Sequence, residues 1–306
     1  MAKDDPTYRL APADAGHAAL VAARFAEVAA AVRALVPSAR VEHVGATAVP
    51  GLPSKGDLDV QVRVHRERFD DARAALGQRF LPYDHAYGPP DGASFDDEHP
   101  TLPAGLHLTV IDSDVDEQWV FRDLLRHDPV LHASFVQLRH AFDGRPMEDW
   151  RAAKGRFYDR LKADPRFARA RALAAFPATI DLVVQWGEMD AYDHVNNVVY
   201  FRWFESARMV LFTQLDFRSS TGVGPILAAT GCRYKAPLYH GDVVTAAARV
   251  VDVADDRFML EHALWSRDAG RVAATGEAQI VAYDYVAKKK ARLPDDVRAR
   301  IDALRR

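Results

Sequence analysis

The 306-residue sequence has a single cysteine, Cys232, so neither an intramolecular disulfide nor a multi-cysteine zinc site can form. This points to a reducing compartment, and the simple reading of Cys232 itself is a small buried apolar residue. No run approaches the roughly 18 apolar residues that a membrane span needs. The Ala-rich stretch from Ala18 to Val36 is broken by Arg24, Glu27 and Arg33. The start, Met1-Ala-Lys-Asp-Asp-Pro6, is acidic where a signal peptide would be apolar, so cytoplasmic residence is the expectation. Neither sign of charge dominates: 40 Lys and Arg face 43 Asp and Glu, for a net charge of -3, which disfavours sequence-independent nucleic-acid binding. With 17 Gly and 17 Pro the chain is not of low complexity. What remains is an ordinary globular composition, 49% hydrophobic and 27% charged, at a length for which two domains are the default.

The pattern divides the chain. Residues 151–175 read as one helix, with Phe157, Leu161, Phe167 and Leu173 near helical spacing, and Pro177 ends it. From Thr179 the composition turns to strand character, which predicts domains at 1–172 and 179–306 joined by a linker at 173–178. The first part mixes types. A helix capped by Asp14 ends before Pro37, strands are predicted at 40–44, 58–64, near Phe80 and at 107–111, and helices at 67–76, 116–126 and 129–142. The second part reads as a strand at 179–186, one long helix at 197–214, and four strands at 226–234, 243–253, 258–265 and 271–283. The expected fold class is therefore α+β in two domains: an α/β domain, then a long helix wrapped by an antiparallel sheet.

The segment from Trp186 to Arg208 places carboxylates, a histidine and two asparagines between a strand end and a helix start. A helix N-terminus offers backbone N–H groups that can stabilise negative charge developing on a carbonyl oxygen. A carboxylate beside that carbonyl can attack it or activate water, which is the minimum equipment for acyl transfer. From the residues alone a second reading stays open, in which Asp193 or Asn196 caps the helix and His194 braces the loop. Trp186-Gly-Glu-Met-Asp190, His194-Val-Asn-Asn197, Tyr200 and Phe204-Glu205-x-x-Arg208 together resemble the signature of hotdog thioesterases of the 4-hydroxybenzoyl-CoA thioesterase type. Asp193 stands where that family commonly has Gly. The resemblance implies a hotdog fold and hydrolysis of an acyl-CoA without a cofactor. Asp190 would be nucleophile or general base, with backbone N–H groups near residues 194–197 stabilising the oxyanion. His194 and Asn196 or Asn197 would orient loop or water. Glu205 is a second carboxylate candidate, although pairing with Arg208 along the helix competes. Tyr200, Arg233, Lys235, Lys288, Lys289 and Lys290 are candidate substrate contacts, the cations for CoA phosphates. A homodimer or homotetramer through the hotdog part is implied.

In the first part, His43-Val-Gly-Ala-Thr47 leads through Val-Pro-Gly-Leu-Pro to Lys55-Gly-Asp57-Leu-Asp59. Gly45, Thr47 and Lys55 suit a phosphate, and Asp57 and Asp59, two apart on a strand, face one side as a divalent-metal pair would. This stretch, with His107, Phe121-Arg-Asp-Leu-Leu-Arg126 and Lys154-x-x-Phe157, resembles the GrpB, or UPF0157, family of nucleotidyltransferase-like domains, which implies Mg as a cofactor of this part. Ala46 replaces the family's Ser and Gly56 its usual Pro. The third carboxylate of active nucleotidyltransferases is missing, with His107 and Thr109 on the later strand instead. Between Arg79 and Arg122 stand Asp84, Asp91, Asp96, Asp97, Glu98, Asp112, Asp114, Asp116 and Glu117 with no Lys or Arg, near His85, His99 and His107, which reads as a solvated acidic loop. Three functions result: a thioesterase carrying a GrpB-like domain, a nucleotidyltransferase whose hotdog part is a dimerising acyl-CoA sensor, or a non-catalytic acyl-CoA-binding protein.

Overall fold

A computed structural model describes residues 6–11, 15–83, 88, 90–218 and 222–304. Asp14, Asp84 and His85, named above, lie outside the described residues, as does most of the N-terminal segment read for a signal. The chain forms two compact units, Met1–Ala163 and Asp164–Arg306.

The first unit holds five strands, β1 (Arg40–Val44), β2 (Leu58–Val64), β3 (Leu81–Tyr83), β4 (Gly92–Asp97) and β5 (Ala104–Val110), in the order β1-β2-β5-β4-β3. Only β2 and β5 are parallel. Five helices accompany them: α1 (Ala15–Leu35), α2 (Phe69–Leu76), α3 (Gln118–His127), α4 (Pro129–Phe142) and α5 (Met147–Lys162). Strand alternation decides what each face does. Leu58, Val60, Val62 and Val64 are buried in one cluster with Val21, Val28 and Val32 of α1 and Phe69, Ala72 and Leu76 of α2. The intervening Asp59, Gln61 and Arg63 face the other side, and β5 adds His107 and Thr109 to it in parallel register. β4 was not predicted, because its sequence, GASFDD, offers little apolar signal.

The second unit wraps one sheet around α7 (Asn197–Gln214). Strands β6 (Ala178–Val183), β7 (Val223–Tyr234), β8 (Val243–Val253), β9 (Arg257–Ser266) and β10 (Arg271–Asp284) run antiparallel in the order β7-β10-β9-β8-β6, with the short β11 (Lys289–Lys290) added to β10. Tyr200, Trp203, Phe204, Ala207 and Leu211 recur at helical spacing and sink into a cluster with Val244, Leu260, Leu264 and Ile280. The helix packs so close that a side chain at Gly276 of β10 would place its Cβ 2.5 Å from the Phe204 ring. α8 (Asp295–Leu304) adds Val297 and Ile301 to the same core.

The expected boundary is displaced. Residues 151–175 are not one helix: α5 stops at Lys162, and α6 (Pro165–Leu173) restarts after Asp164, whose side chain caps it at Arg166 N, with Pro165 in the first turn. Leu173 of α6 packs on Ala247, Ala263 and Trp265, on the sheet face away from α7. Residues 164–178, read as helix end and linker, therefore belong to the second unit.

Candidate active site

In the second unit, β6 ends at Val183 and a short turn at 186–188 leads to the loop that carries Asp190. Glu188 is buried and braces this loop. It accepts from Gln185 N at 2.7 Å and pairs with Arg202 of α7. Asp190 is fixed at both ends of the residue: its amide donates to His194 O at 2.9 Å, and its Oδ1 accepts from Tyr192 N at 2.8 Å. Oδ2 lies 3.6 Å from His194 Nδ1, too long for a hydrogen bond, with 20% of the side chain exposed. One carboxylate oxygen is thus held by the loop while the other accepts no hydrogen bond among the described residues. Asp193 has φ 60, a left-handed conformation that glycine adopts freely, which accounts for the family's usual Gly at this place.

Asn196 caps α7, its Oδ1 accepting from Val198 N at 3.0 Å. Of the amides expected to stabilise an oxyanion, Val195 N is spent on Leu238 O and Asn196 N on Glu188 O. Among the described residues, the amides of His194 and Asn197 keep no acceptor within the chain. Tyr234 of β7, not singled out in the sequence, donates its hydroxyl to Asn197 O at 3.1 Å and meets the buried Tyr200 edge-on at 4.9 Å. Burial pushes the Tyr200 hydroxyl up to about 12, so it stays protonated. Tyr200 is thus packed inside the core at the helix start.

Several other candidates do not converge on Asp190. Glu205 is exposed two turns along α7, about 12 Å from its start at 1.5 Å per residue. Burial lowers the Arg208 guanidinium's pKa and the Glu205 charge opposes that, but the two side chains form no ion pair within 4 Å. Arg233 precedes Tyr234 on β7 and so points to the opposite face of the strand. Lys235 follows the strand end, its amide bonded to Ala273 O, with its side chain exposed. Lys288, Lys289 and Lys290 are exposed in the hairpin at the far end of β10. Tyr234 pairs with Ala274 whereas Lys289 pairs with Asp284, a separation of about 30 Å at the rise of a strand. Within one chain the three lysines and Asp190 do not share a site.

In the first unit, the β1–β2 loop does assemble around Asp57 and Asp59. Gly45 has φ 72, and a Cβ there would fall 2.1 Å from Asp59 Oδ2, so only glycine lets the loop lie against that carboxylate. Thr47 Oγ1 lies 3.1 Å from His43 Nε2 and donates to Asp57 O at 3.2 Å, so its hydroxyl is used within the loop. Arg126 of α3 donates twice to Ala48 O and Arg122 to His43 O, which buttress the loop from behind. Burial, aided by the Arg126 charge, lowers the His43 imidazole to about 4 and keeps it neutral. Lys55 Nζ is 3.0 Å from Asp57 Oδ2, and His107 Nε2 is 3.7 Å from Asp59 Oδ1.

The acidic stretch is solvated only in part: Glu98, Asp112 and Asp114 are exposed, whereas four of its carboxylates are paired. Asp116 is buried and receives Arg63 through two hydrogen bonds at 2.7 Å, with Gln61 at 3.0 Å. Asp97 is buried between Arg24 and Arg79, Asp91 pairs with Arg66, and Glu117 with Lys162. The cations come from distant segments, which a local charge count cannot see. His99 accepts from Thr101 N and Leu102 N and closes a turn. Among the described residues no group of three or more His, Cys, Asp or Glu could hold a metal, and no helix is long and apolar enough to cross a membrane.

Residues 184–301 match the family model of the thioesterase-like superfamily and residues 12–163 that of the GrpB protein. A UPF0157 protein of Vibrio cholerae is 28% identical over 131 residues, which are 42% of this chain and 69% of the relative. A thioesterase of Thermus thermophilus, solved with coenzyme A and Zn, is 28% identical with a TM-score of 0.39, covering 44% of this chain and 98% of its own. A 1,4-dihydroxy-2-naphthoyl-CoA thioesterase from Synechocystis is 17% identical with a TM-score of 0.39, covering 42% and 98%. The chain thus joins a GrpB segment to a segment of the thioesterase-like superfamily.

Proposed function

We propose that the second unit hydrolyses an acyl-CoA thioester to the free acid and CoA, and that Asp190 is the group that acts on the carbonyl. The observation that carries this reading is the Asp190 carboxylate itself, within the thioesterase-like segment. Tyr192 N holds Oδ1, Oδ2 lies 3.6 Å from His194 Nδ1, and the amides of His194 and Asn197, without an acceptor among the described residues, stand just before and at the start of α7. Negative charge forming on the thioester oxygen is stabilised by such amides, and by the positive end of α7, more than the ground-state carbonyl is. Asp190 either attacks the carbonyl carbon or takes the proton of an attacking water. In both cases the C–S bond breaks and the thiolate of CoA leaves and takes up a proton; where Asp190 has attacked, water then opens the acyl-aspartyl anhydride, which frees the acid and restores the carboxylate. This chemistry needs no cofactor.

The active form is a dimer of these units. Among the described residues β7 is paired on one side only, by β10, and residues 226–230 are exposed, including Ile226 and Leu227. Val198 and Met209 of α7 are exposed as well, and an open strand edge beside apolar surface is what a second copy covers. The outer sheet face carries α6 already, which favours a dimer over a tetramer built through that face.

A thiol-release assay of the full chain over short, aromatic and long acyl-CoAs tests the reading. Turnover of at least one thioester supports it. Tight binding across the panel without release would show a binding protein instead.

A further inference from the structure

The segment that carries Asp190 is joined to the start of α7 by a very short ladder. The Asp190 amide donates to His194 O at 2.9 Å and the Asn196 amide to Glu188 O at 2.9 Å, on either side of an antiparallel bridge between Met189 and Val195. So small a ladder holds no fixed direction by itself. A second attachment comes from the Glu188 side chain, which is 8% exposed. Its Oε2 accepts from Gln185 N at 2.7 Å, the Gln185 side chain accepts in return from the Glu188 amide, and Oε1 pairs with Arg202. Arg202 lies five residues beyond Asn197, about 7.5 Å along α7 at 1.5 Å per residue. The segment is therefore fastened to α7 at two heights, the Asn196 cap and Arg202, and two fastenings set an orientation that one leaves free. Among the described residues the Arg202 guanidinium has no other ion pair or hydrogen bond. A buried carboxylate that loses its cation is costly to keep, so without Arg202 the Glu188 side chain turns out to water and draws residues 188–190 with it.

We propose that Arg202 is a positioning residue for thioester hydrolysis, which through Glu188 sets the direction in which Asp190 meets the amides at the start of α7. This rests on the role of Asp190 given under the proposed function. The part played by Arg202 is alignment, where a displacement of about 1 Å costs on the order of 10²-fold in rate.

The full-length Arg202→Ala chain, with native circular dichroism, is the test. On the best acyl-CoA of the panel its kcat should fall by roughly 10- to 100-fold while KM stays within a few-fold of wild type. Peptides spanning residues 188–197 should exchange their amide hydrogens faster, as read by mass spectrometry. The Arg202 side chain is 60% exposed, so its removal leaves a gap open to solvent. Methylguanidinium at millimolar concentration should restore part of the kcat of Arg202→Ala and none to the chain that also carries Glu188→Gln. That double variant should be no slower than the slower single variant, because both changes break one link. A wild-type kcat in Arg202→Ala would overturn the proposal. So would a rise in KM alone, which would make Arg202 a contact for CoA. Asp190→Asn measured alongside keeps the two claims apart. Wild-type kcat in that variant removes the role of Asp190, whereas unchanged exchange at residues 188–197 in Arg202→Ala removes the positioning role even where Asp190 is essential.

Discussion

Asp193 shows how a single residue carries the geometry of a site. Its φ of 60 costs a side chain some strain that glycine avoids, and it holds the turn that lets the Asp190 amide reach His194 O. Asp193→Gly should therefore leave thioester turnover close to wild type and change stability by no more than about 1 kcal/mol, relief of strain working against the freedom gained by the unfolded chain. Urea denaturation with parallel turnover measurements checks both. His262 works at the same scale through protonation. It is buried on β9, stacked on Phe204, with Nδ1 3.3 Å from Ala247 O, and burial, with the Arg208 charge, lowers it to about 4 from 6.5. Between these values the unfolded chain binds a proton that the folded chain refuses. The stability is thus complete above about pH 6.5 and is lost as pH falls toward 4, by up to on the order of 3 kcal/mol. Residues 164–306 should lose urea resistance across that window, and His262→Gln should lose less of it. An unchanged slope in the variant would assign the acid sensitivity to other groups.

At the level of elements, α7, β1, β2 and β8 were readable to the residue, α7 from its apolar spacing and the Asn196 cap, β2 from strict alternation, and β8 from a run of small and β-branched residues apolar on both faces. α6 was hidden for a physical reason. Ala and Arg continue the helical composition across residues 163–165, and only the Asp164-Pro165 pair marks the restart. Its consequence is tertiary: Leu173 covers Ala247, Ala263 and Trp265, and Arg169 pairs with Asp181 and bonds Thr245. A chain beginning at Asp164 should fold as a well-behaved domain. One beginning at Thr179 uncovers the Trp265 face and should aggregate or melt at lower temperature. Equal solubility and equal Tm for the two would mean that α6 contributes nothing to the sheet. The sequence showed where Asp190 and the start of α7 would be, since cap and carboxylate lie within a few residues of each other. It could not show that the Val195 amide is spent on Leu238, nor that Tyr234 ties β7 to Asn197, because these bonds cross segments far apart in the chain, and the Asn196 amide's bond to Glu188 O depends on how the irregular loop between them folds.

For the whole molecule, the two units have separate cores, so each can be tested without the other. Light scattering on residues 164–306 should give twice the mass of one chain. A monomer that retains full thioester turnover would remove β7 from the account of the active form. The lysines at 288–290 stand about 30 Å along β10 from the register of Tyr234, which bonds the start of α7, so replacing them by Ala should leave kcat unchanged and act on KM alone. The central claim is that Asp190 performs the chemical step, and kcat of the full chain with and without Asp190→Asn, on the best acyl-CoA of the panel, tests it most directly. The account predicts a loss of roughly 10²–10⁴-fold with native circular dichroism retained. A kcat within a few-fold of wild type would contradict it.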